Sequence, residues 1–128
     1  MAKSVKYWRN KCDARWREII RKPARCAICG KSAGQLHVHH LISRSAVFFR
    51  HNINNGILLC PTCHNFGFGQ GNDEKISAHG TPWAFEDWMK EHRPDQYAWW
   101  VKNRHQVITG VTIDYEAVYE QLGADDAK

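Results

Sequence analysis

The sequence predicts an α+β fold in which a core of two strands and one short helix lies between an N-terminal helix and several C-terminal helices. Apolar residues recur at helical spacing near both ends of the chain. Between them, residues 36–42 alternate in polarity and residues 56–59 form a short apolar run, both typical of strands. The 128 residues contain no internal repeat or low-complexity linker, so we expect one domain with its core at about 26–70.

The first helix is predicted over about residues 4–21. Apolar side chains form one stripe at three- or four-residue spacing, at Val5, Trp8, Cys12, Trp16 and Ile19. Pro23 ends the pattern, because proline disrupts a helix interior. Cys12 lies on the stripe and is therefore expected to be a core residue without a disulfide partner.

The other four cysteines form two Cys-x-x-Cys pairs, Cys26 with Cys29 and Cys60 with Cys63. Each pair presents two thiolates from one tight turn, and two such turns together suit a tetrahedral Zn²⁺. Four thiolates close the coordination shell, so this zinc is expected to be structural and not hydrolytic. The alternative, four unrelated buried thiols, is disfavoured by the repeated spacing.

The composition favours a cytoplasmic protein without a membrane segment. Zinc-bound thiolates suit a reducing compartment. No apolar run approaches membrane-spanning length, and the basic start MAKSVKYWRNK lacks the apolar stretch of a signal peptide.

Positive charge is concentrated at the N-terminal end of the chain. Residues 1–25 contain nine lysines and arginines against two acidic residues, whereas residues 86–128 contain five against nine. Clustered cations release counterions from a phosphate backbone, so DNA is the expected partner, with Arg9, Arg17 and Arg21 as candidate contacts. An amphipathic helix also exposes its charges to solvent, and this alternative stays open.

Several helix boundaries can be predicted from capping residues and breakers. In the core, Pro61 is expected to begin the short helix, which Gly67, Gly69 and Gly71 should end. Three later helices are expected within residues 82–123. Their predicted boundary residues are Thr81 and His92 for the first, Asp95 as the cap of the second, and Asp114 and Gly123 for the third. Residues 124–128 are expected to be frayed.

Histidines are concentrated around the second cysteine pair. Five of the eight lie between the first pair and the residue just past the second, at His37, His39, His40, His51 and His64. A neutral imidazole can bind a divalent ion or take a proton from water, and phosphodiester hydrolysis uses both abilities. Neighbouring strand residues point to opposite sides, so His39 and His40 are expected to divide these roles, with His37 on the side of His39.

These residues resemble the zinc-bearing branch of the HNH, or ββα-metal, endonucleases. The shared elements, in order, are Cys26-x-x-Cys29, Val38-His39-His40-Leu41-Ile42 and Asn55-x-x-x-Leu59-Cys60-Pro61-x-Cys63-His64. The resemblance implies that His40 is the general base, that His39 and His64 hold a catalytic Mg²⁺ or Mn²⁺, and that Asn55 braces the loop. Phe68 stands where some relatives have a further histidine, which leaves the third ligand open to water or another residue. His79 could fold back as a ligand or a DNA contact, with an ordinary surface-loop histidine as the alternative. His37 could be a second ligand, or could lie near DNA or beside the zinc ligands.

The function implied by this resemblance is metal-dependent hydrolysis of DNA phosphodiester bonds. His40 would take a proton from the attacking water, and Arg44, just beyond the strand, could hold the phosphate. One active site per chain favours nicking, since a double-strand break needs a homodimer or two successive cuts. A zinc-stabilised DNA-binding accessory protein is the alternative, but it leaves the histidine placement unexplained.

A looser resemblance extends beyond the core, from Cys12-Asp13 through Ser77-Ala78-His79-Gly80 to Trp88. It is to small phage and prophage HNH proteins of the NinG or Rap recombination kind. This similarity implies cleavage of DNA in phage recombination or packaging, with the proteins of those processes as partners and the host cytoplasm as the location.

Overall fold

The computed structural model describes residues 3–66 and 76–127. The elements are α1 (Val5–Arg21), β1 (His37–His40), a 3₁₀ turn (Ile53–Asn55), β2 (Gly56–Leu59), a π-helical turn (Thr62–Phe66), α2 (Pro82–His92), α3 (Pro94–Asn103) and α4 (Tyr115–Asp126). A small sheet is thus flanked by helices at both ends, which confirms the predicted α+β class.

Helix α1 forms where the apolar stripe predicts it. The Ser4 hydroxyl caps its first turn by accepting a hydrogen bond from the backbone N–H of Tyr7 at 3.1 Å. The buried face of α1 packs against α4, and the cluster between them centres on four buried residues, Cys12, Trp16, Tyr115 and Leu122. Cys12 is therefore a core residue, as expected, and its thiol donates to the carbonyl of Tyr115 at 3.1 Å.

The two strands pair antiparallel, with His39 opposite Ile57 and His40 opposite Gly56. Alternation of side chains gives this sheet two faces. On one face His39 contacts Phe85 of α2 edge to face, with ring centroids 5.9 Å apart. On the other face His40 stacks on Trp16 of α1. The predicted separation of His39 from His40 is confirmed.

A second apolar cluster lies between β2, the cysteine turns and α2. Its fully buried members include Ile57, Leu59, Phe85 and Met89. Strand β1 is shorter than the predicted 36–42, because the backbone of Ile42 is hydrogen-bonded to a side chain and not to β2. Its N–H donates to Oδ1 of Asn55, and its carbonyl accepts from Nδ2 of Asn55. The short helix after Pro61 takes a π-helical form, and its predicted end at Gly67, Gly69 and Gly71 lies outside the described residues.

The predicted cap at Thr81 is confirmed in position, whereas the predicted cap at Asp95 is wrong. The Thr81 hydroxyl accepts from the N–H of Ser77 at 2.8 Å and donates to its carbonyl at 3.3 Å, so it is engaged with the preceding turn. Asp95 lies inside the first turn of α3, because Pro94 takes the first helical position and Arg93 the cap position. At α4, however, the Asp114 carboxylate does accept from the N–H of Ala117 at 3.1 Å.

The predicted end of the last helix is also wrong. Helix α4 runs through Gly123 to Asp126, so the residues expected to be frayed are helical up to that point. A side-chain carbon at Gly123 would lie 2.8 Å from Nη1 of Arg15, so this glycine permits close packing of α4 on α1. Lys22 pairs with Asp126 and ties the two helix ends together. In the part of the chain that the structure describes, none of the helices has the length and apolar character needed to cross a bilayer.

Candidate active site

The four paired cysteines converge on one point. Their sulfur atoms all lie within 4.8 Å of one another, and Sγ of Cys29 lies 3.7 Å from Sγ of Cys60. Ligands of a tetrahedral zinc with Zn–S bonds of about 2.3 Å are separated by about 3.8 Å. The first turn is closed by Gly30, whose φ of 77° favours glycine and whose N–H donates to the carbonyl of Cys26. The arrangement therefore fits a structural Zn²⁺.

The thiols influence one another's ionisation. A hydrogen bond from Cys63, the largest effect, lowers the pKa of Cys26 to about 4, although burial opposes it. The same hydrogen bond raises the pKa of Cys63, and burial raises that of Cys29. Several thiolates this close repel one another unless a cation lies between them. A divalent metal would supply that positive charge.

Three histidines form a second cluster of possible metal ligands, His39, His64 and His79. Nδ1 of His39 lies 3.1 Å from Nε2 of His64, and Nε2 of His79 lies 3.1 Å from the same atom. His79 arrives there because the backbone of residues 78–79 pairs with that of Cys63 and His64, with both N–H···O distances at 2.9 Å. Phe68, which stands where some relatives have a further histidine ligand, lies outside the described residues.

Two rings of this cluster, those of His39 and His64, are kept in the neutral form. Burial, reinforced by the neighbouring histidines, lowers the pKa of His39 to about 3 and that of His64 to about 4. His37 contacts the remaining ring nitrogen of His64, with 3.0 Å between the two Nδ1 atoms. Neutral imidazoles offer lone pairs, so the cluster can act as a set of metal ligands near neutral pH.

His40 lies on the opposite face of the strand in different surroundings. Its ring stacks on Trp16 with centroids 4.2 Å apart and 17° between the planes. Nε2 of His40 lies 3.1 Å from the carbonyl oxygen of Arg50. Burial lowers the pKa of His40, against the effect of this hydrogen bond, so the ring is neutral near pH 7 and able to accept a proton.

Asn55 is fully buried between β2 and the loop of residues 41–54. Its Oδ1 accepts from the N–H of Ile42 at 2.6 Å, and its Nδ2 donates to the carbonyls of Ile42 at 3.0 Å and Phe49 at 3.1 Å. Both the oxygen and the nitrogen of the amide therefore form hydrogen bonds with the loop backbone. Asn55 fixes the path of the loop and does not face a substrate.

The comparison with protein families decides what this arrangement is. Residues 26–66 match the family model described as HNH endonuclease. The match is confined to this segment, which therefore has the sequence pattern of an HNH endonuclease domain. The matched segment contains both cysteine pairs, the two strands, and His39, His40 and His64, whereas His79 lies beyond it. No curated protein and no solved structure matches the chain, so the resemblance of its flanks to phage proteins stays an expectation.

A cleft of about 680 Å³ opens over the histidines of the HNH domain. It is lined by His39, His40, His64 and His79, and by Arg44, which sequence analysis proposed as a phosphate contact. Among the described residues, Glu86 is the one acidic residue in its lining, and it is paired with Arg104. Both histidine environments therefore open onto one space large enough for a phosphodiester group.

The candidate DNA contacts on α1 are not brought into this cleft. Arg17 and Arg21 are exposed and Arg9 is half-buried, and none of the three lines the cleft. Sequence reasoning also missed residues that surround His40, namely Asp13, Trp16 and Arg50. Trp16 was read only as part of the apolar stripe. Asp13 could have drawn attention as one of two acidic residues among nine basic ones in residues 1–25.

Proposed function

We propose that this protein is a metal-dependent DNA endonuclease that uses the HNH domain to hydrolyse phosphodiester bonds. One observation carries the proposal, the convergence of the ring nitrogens of His39, His64 and His79 in the cleft that also contains His40. A zinc-stabilised DNA-binding protein without catalysis has no need for a second group of metal ligands beside a neutral imidazole.

His39 and His64 are the proposed ligands of the catalytic ion, and His79 is proposed as the third. Two ligands at right angles around an ion at about 2.1 Å are about 3.0 Å apart, close to the 3.1 Å separations of this cluster. His79 lies beyond the matched segment and so replaces a ligand that some relatives supply from the helix.

The donor set also bears on which ion is used. Imidazole nitrogens suit transition metals, whereas Mg²⁺ prefers carboxylate and water oxygens. The acidic residue found in the described lining, Glu86, is engaged by Arg104. Of the two expected ions, Mn²⁺ is therefore favoured over Mg²⁺.

His40 is the proposed general base. Its neutral ring would take a proton from a water molecule, which then attacks phosphorus, and Arg44 would hold a phosphate oxygen by a charge-assisted hydrogen bond. The bound ion would supply Lewis-acid stabilisation of the charge that develops on the phosphate. Asn55 contributes by holding the loop that contains Arg44 and Arg50 in place. The family resemblance implies products with 5′-phosphate and 3′-hydroxyl ends.

The basic face of α1 is proposed to bind DNA outside the cleft, through Arg9, Arg17 and Arg21. These contacts would supply affinity that is independent of sequence and that weakens as salt is raised. A single histidine cluster in the described residues favours nicking of one strand. A role in phage recombination rests only on the looser resemblance of the flanking sequence.

Plasmid relaxation tests this proposal. Supercoiled plasmid is incubated with the protein in Mn²⁺ and, separately, in Mg²⁺. The wild type should nick, faster with Mn²⁺, and His40→Ala should lower the rate by about 100-fold or more, as expected for loss of a general base. His105→Ala is the matched control, because His105 is exposed and does not line the cleft. Equal rates for His40→Ala and wild type would reject His40, and DNA binding without any nicking would favour the accessory protein.

A further inference from the structure

One turn of α1 packs next to His40, and this helix is not part of the segment that matches the HNH family. Trp16 stacks on the His40 ring, and its indole Nε1 donates to the carbonyl of Asn52 at 2.9 Å. Asp13 lies three residues earlier and so on the same side of the helix. The helix therefore contacts both His40 and the loop of residues 41–54, whose Arg50 carbonyl lies 3.1 Å from Nε2 of His40.

Asp13 forms hydrogen bonds with two consecutive residues of that loop, Arg50 and His51. Its carboxylate accepts two hydrogen bonds from Arg50, from Nε at 3.0 Å and from Nη2 at 2.7 Å, and Nε2 of His51 donates a third at 2.6 Å. These side chains are largely sheltered from solvent, with 21% of Asp13 and 18% of Arg50 exposed. Paired, two-point contacts of this kind fix orientation as well as distance.

Arg50 connects Asp13 to the proposed base, because its side chain binds Asp13 and its carbonyl accepts a hydrogen bond from His40. A carbonyl oxygen can only accept, so Nε2 of His40 carries the proton in its 3.1 Å contact with Arg50. The other ring nitrogen then has the lone pair that a base needs. We propose that Asp13 is a positioning residue for His40, which fixes the Arg50 carbonyl and thereby the orientation and tautomer of the ring.

This inference rests on the proposed function of His40 as the base. A carboxylate that merely joined α1 to the loop would stabilise the fold without a specific effect on proton transfer. The two possibilities differ in one respect. A positioning residue matters only while its target is present, whereas a structural residue affects every variant alike.

The test is a double-mutant cycle on plasmid nicking with Mn²⁺. Asp13→Asn should lower kcat by about 10- to 100-fold with KM changed by less than about twofold, since small misplacements of a reacting group have effects of this size. Adding Asp13→Asn to His40→Ala should lower the residual rate no further. Asp126→Asn, which breaks the exposed pair between Lys22 and Asp126, is the matched control and should leave kcat unchanged.

A second measurement does not depend on activity. Nitrogen NMR of the His40 ring should show one tautomer, protonated at Nε2, in the wild type and a mixture in Asp13→Asn. If Asp13→Asn does not fold, Arg50→Lys replaces it, because lysine keeps the charge but loses the two-point contact.

Two results would overturn the role of Asp13. One is an equal loss of rate from Asp13→Asn with His40 present and absent, and the other is an unchanged kcat and ring spectrum in a folded variant. If His40→Ala itself nicks normally, the proposed role of His40 as the base fails instead, and if the wild type does not nick, the proposed function fails, so these failures are distinguishable.

Discussion

At the scale of single residues, His64 connects most of the proposed metal chemistry. Its Nε2 lies between His39 and His79, and its Nδ1 contacts His37. If Nε2 offers its lone pair to an ion, Nδ1 must carry the ring proton and donate it to His37. His37 would then fix the tautomer of a metal ligand, as outer partners of ligating histidines do.

Removal of His37 should weaken metal binding without removing a ligand. His37→Ala is expected to lower the affinity for Mn²⁺ by roughly 10- to 100-fold, the range seen when outer partners of metal ligands are lost. Isothermal titration of the zinc-loaded protein with Mn²⁺ measures this, with His105→Ala as control. An unchanged affinity would show that His64 needs no partner at Nδ1.

The candidate metal ligands could be anticipated from the sequence because local order determines them. His39 and His40 are separated by strand alternation, and His64 follows directly after Cys63. Asp13 and Arg50 could not be paired in the same way, because 37 residues separate them and only the packing of α1 on the sheet brings them together. His79 is an intermediate case, since its approach depends on backbone pairing with His64.

At the scale of elements, the sheet works as a two-sided support. Strand β2 was predicted with correct bounds, and so was the extent of α2, because apolar patterns and prolines mark them. The cap at Asp95 and the end at Gly123 were not predicted correctly. Pro94 places the start of α3 before Asp95, and α4 continues through Gly123, where it packs on α1. The need for glycine at position 56 also depends on tertiary packing. Gly56 lies opposite His40 in the sheet and directly beneath α1.

Substitution of Gly56 should separate α1 from the sheet. An added carbon would lie 2.6 Å from Cγ1 of Ile20 and 2.7 Å from the Trp16 ring, both packed side chains. Gly56→Ala is expected to lower the free energy of unfolding by about 1–3 kcal/mol, as overpacking does. Urea denaturation measures the change. Addition of Ile20→Ala should recover part of the stability, and no loss in Gly56→Ala would contradict tight packing of α1 on β2.

At the scale of the whole molecule, the candidate active site extends beyond the segment that matches the HNH family. His79 and the cleft wall at Phe85 come from the C-terminal side, and Trp16 and Asp13 come from α1. The family segment supplies the two cysteine turns, both strands and the loop braced by Asn55. We propose that these parts together form a second metal site, separate from the zinc site and next to His40.

Anomalous diffraction from a crystal soaked in Mn²⁺ would locate this second metal site. Data collected above the manganese absorption edge and below the zinc edge separate the two metals. The expectation is a manganese peak within coordination distance of His39, His64 and His79, with zinc at the four cysteines. A cleft without a manganese peak, in a crystal whose cysteine site holds zinc, would contradict it.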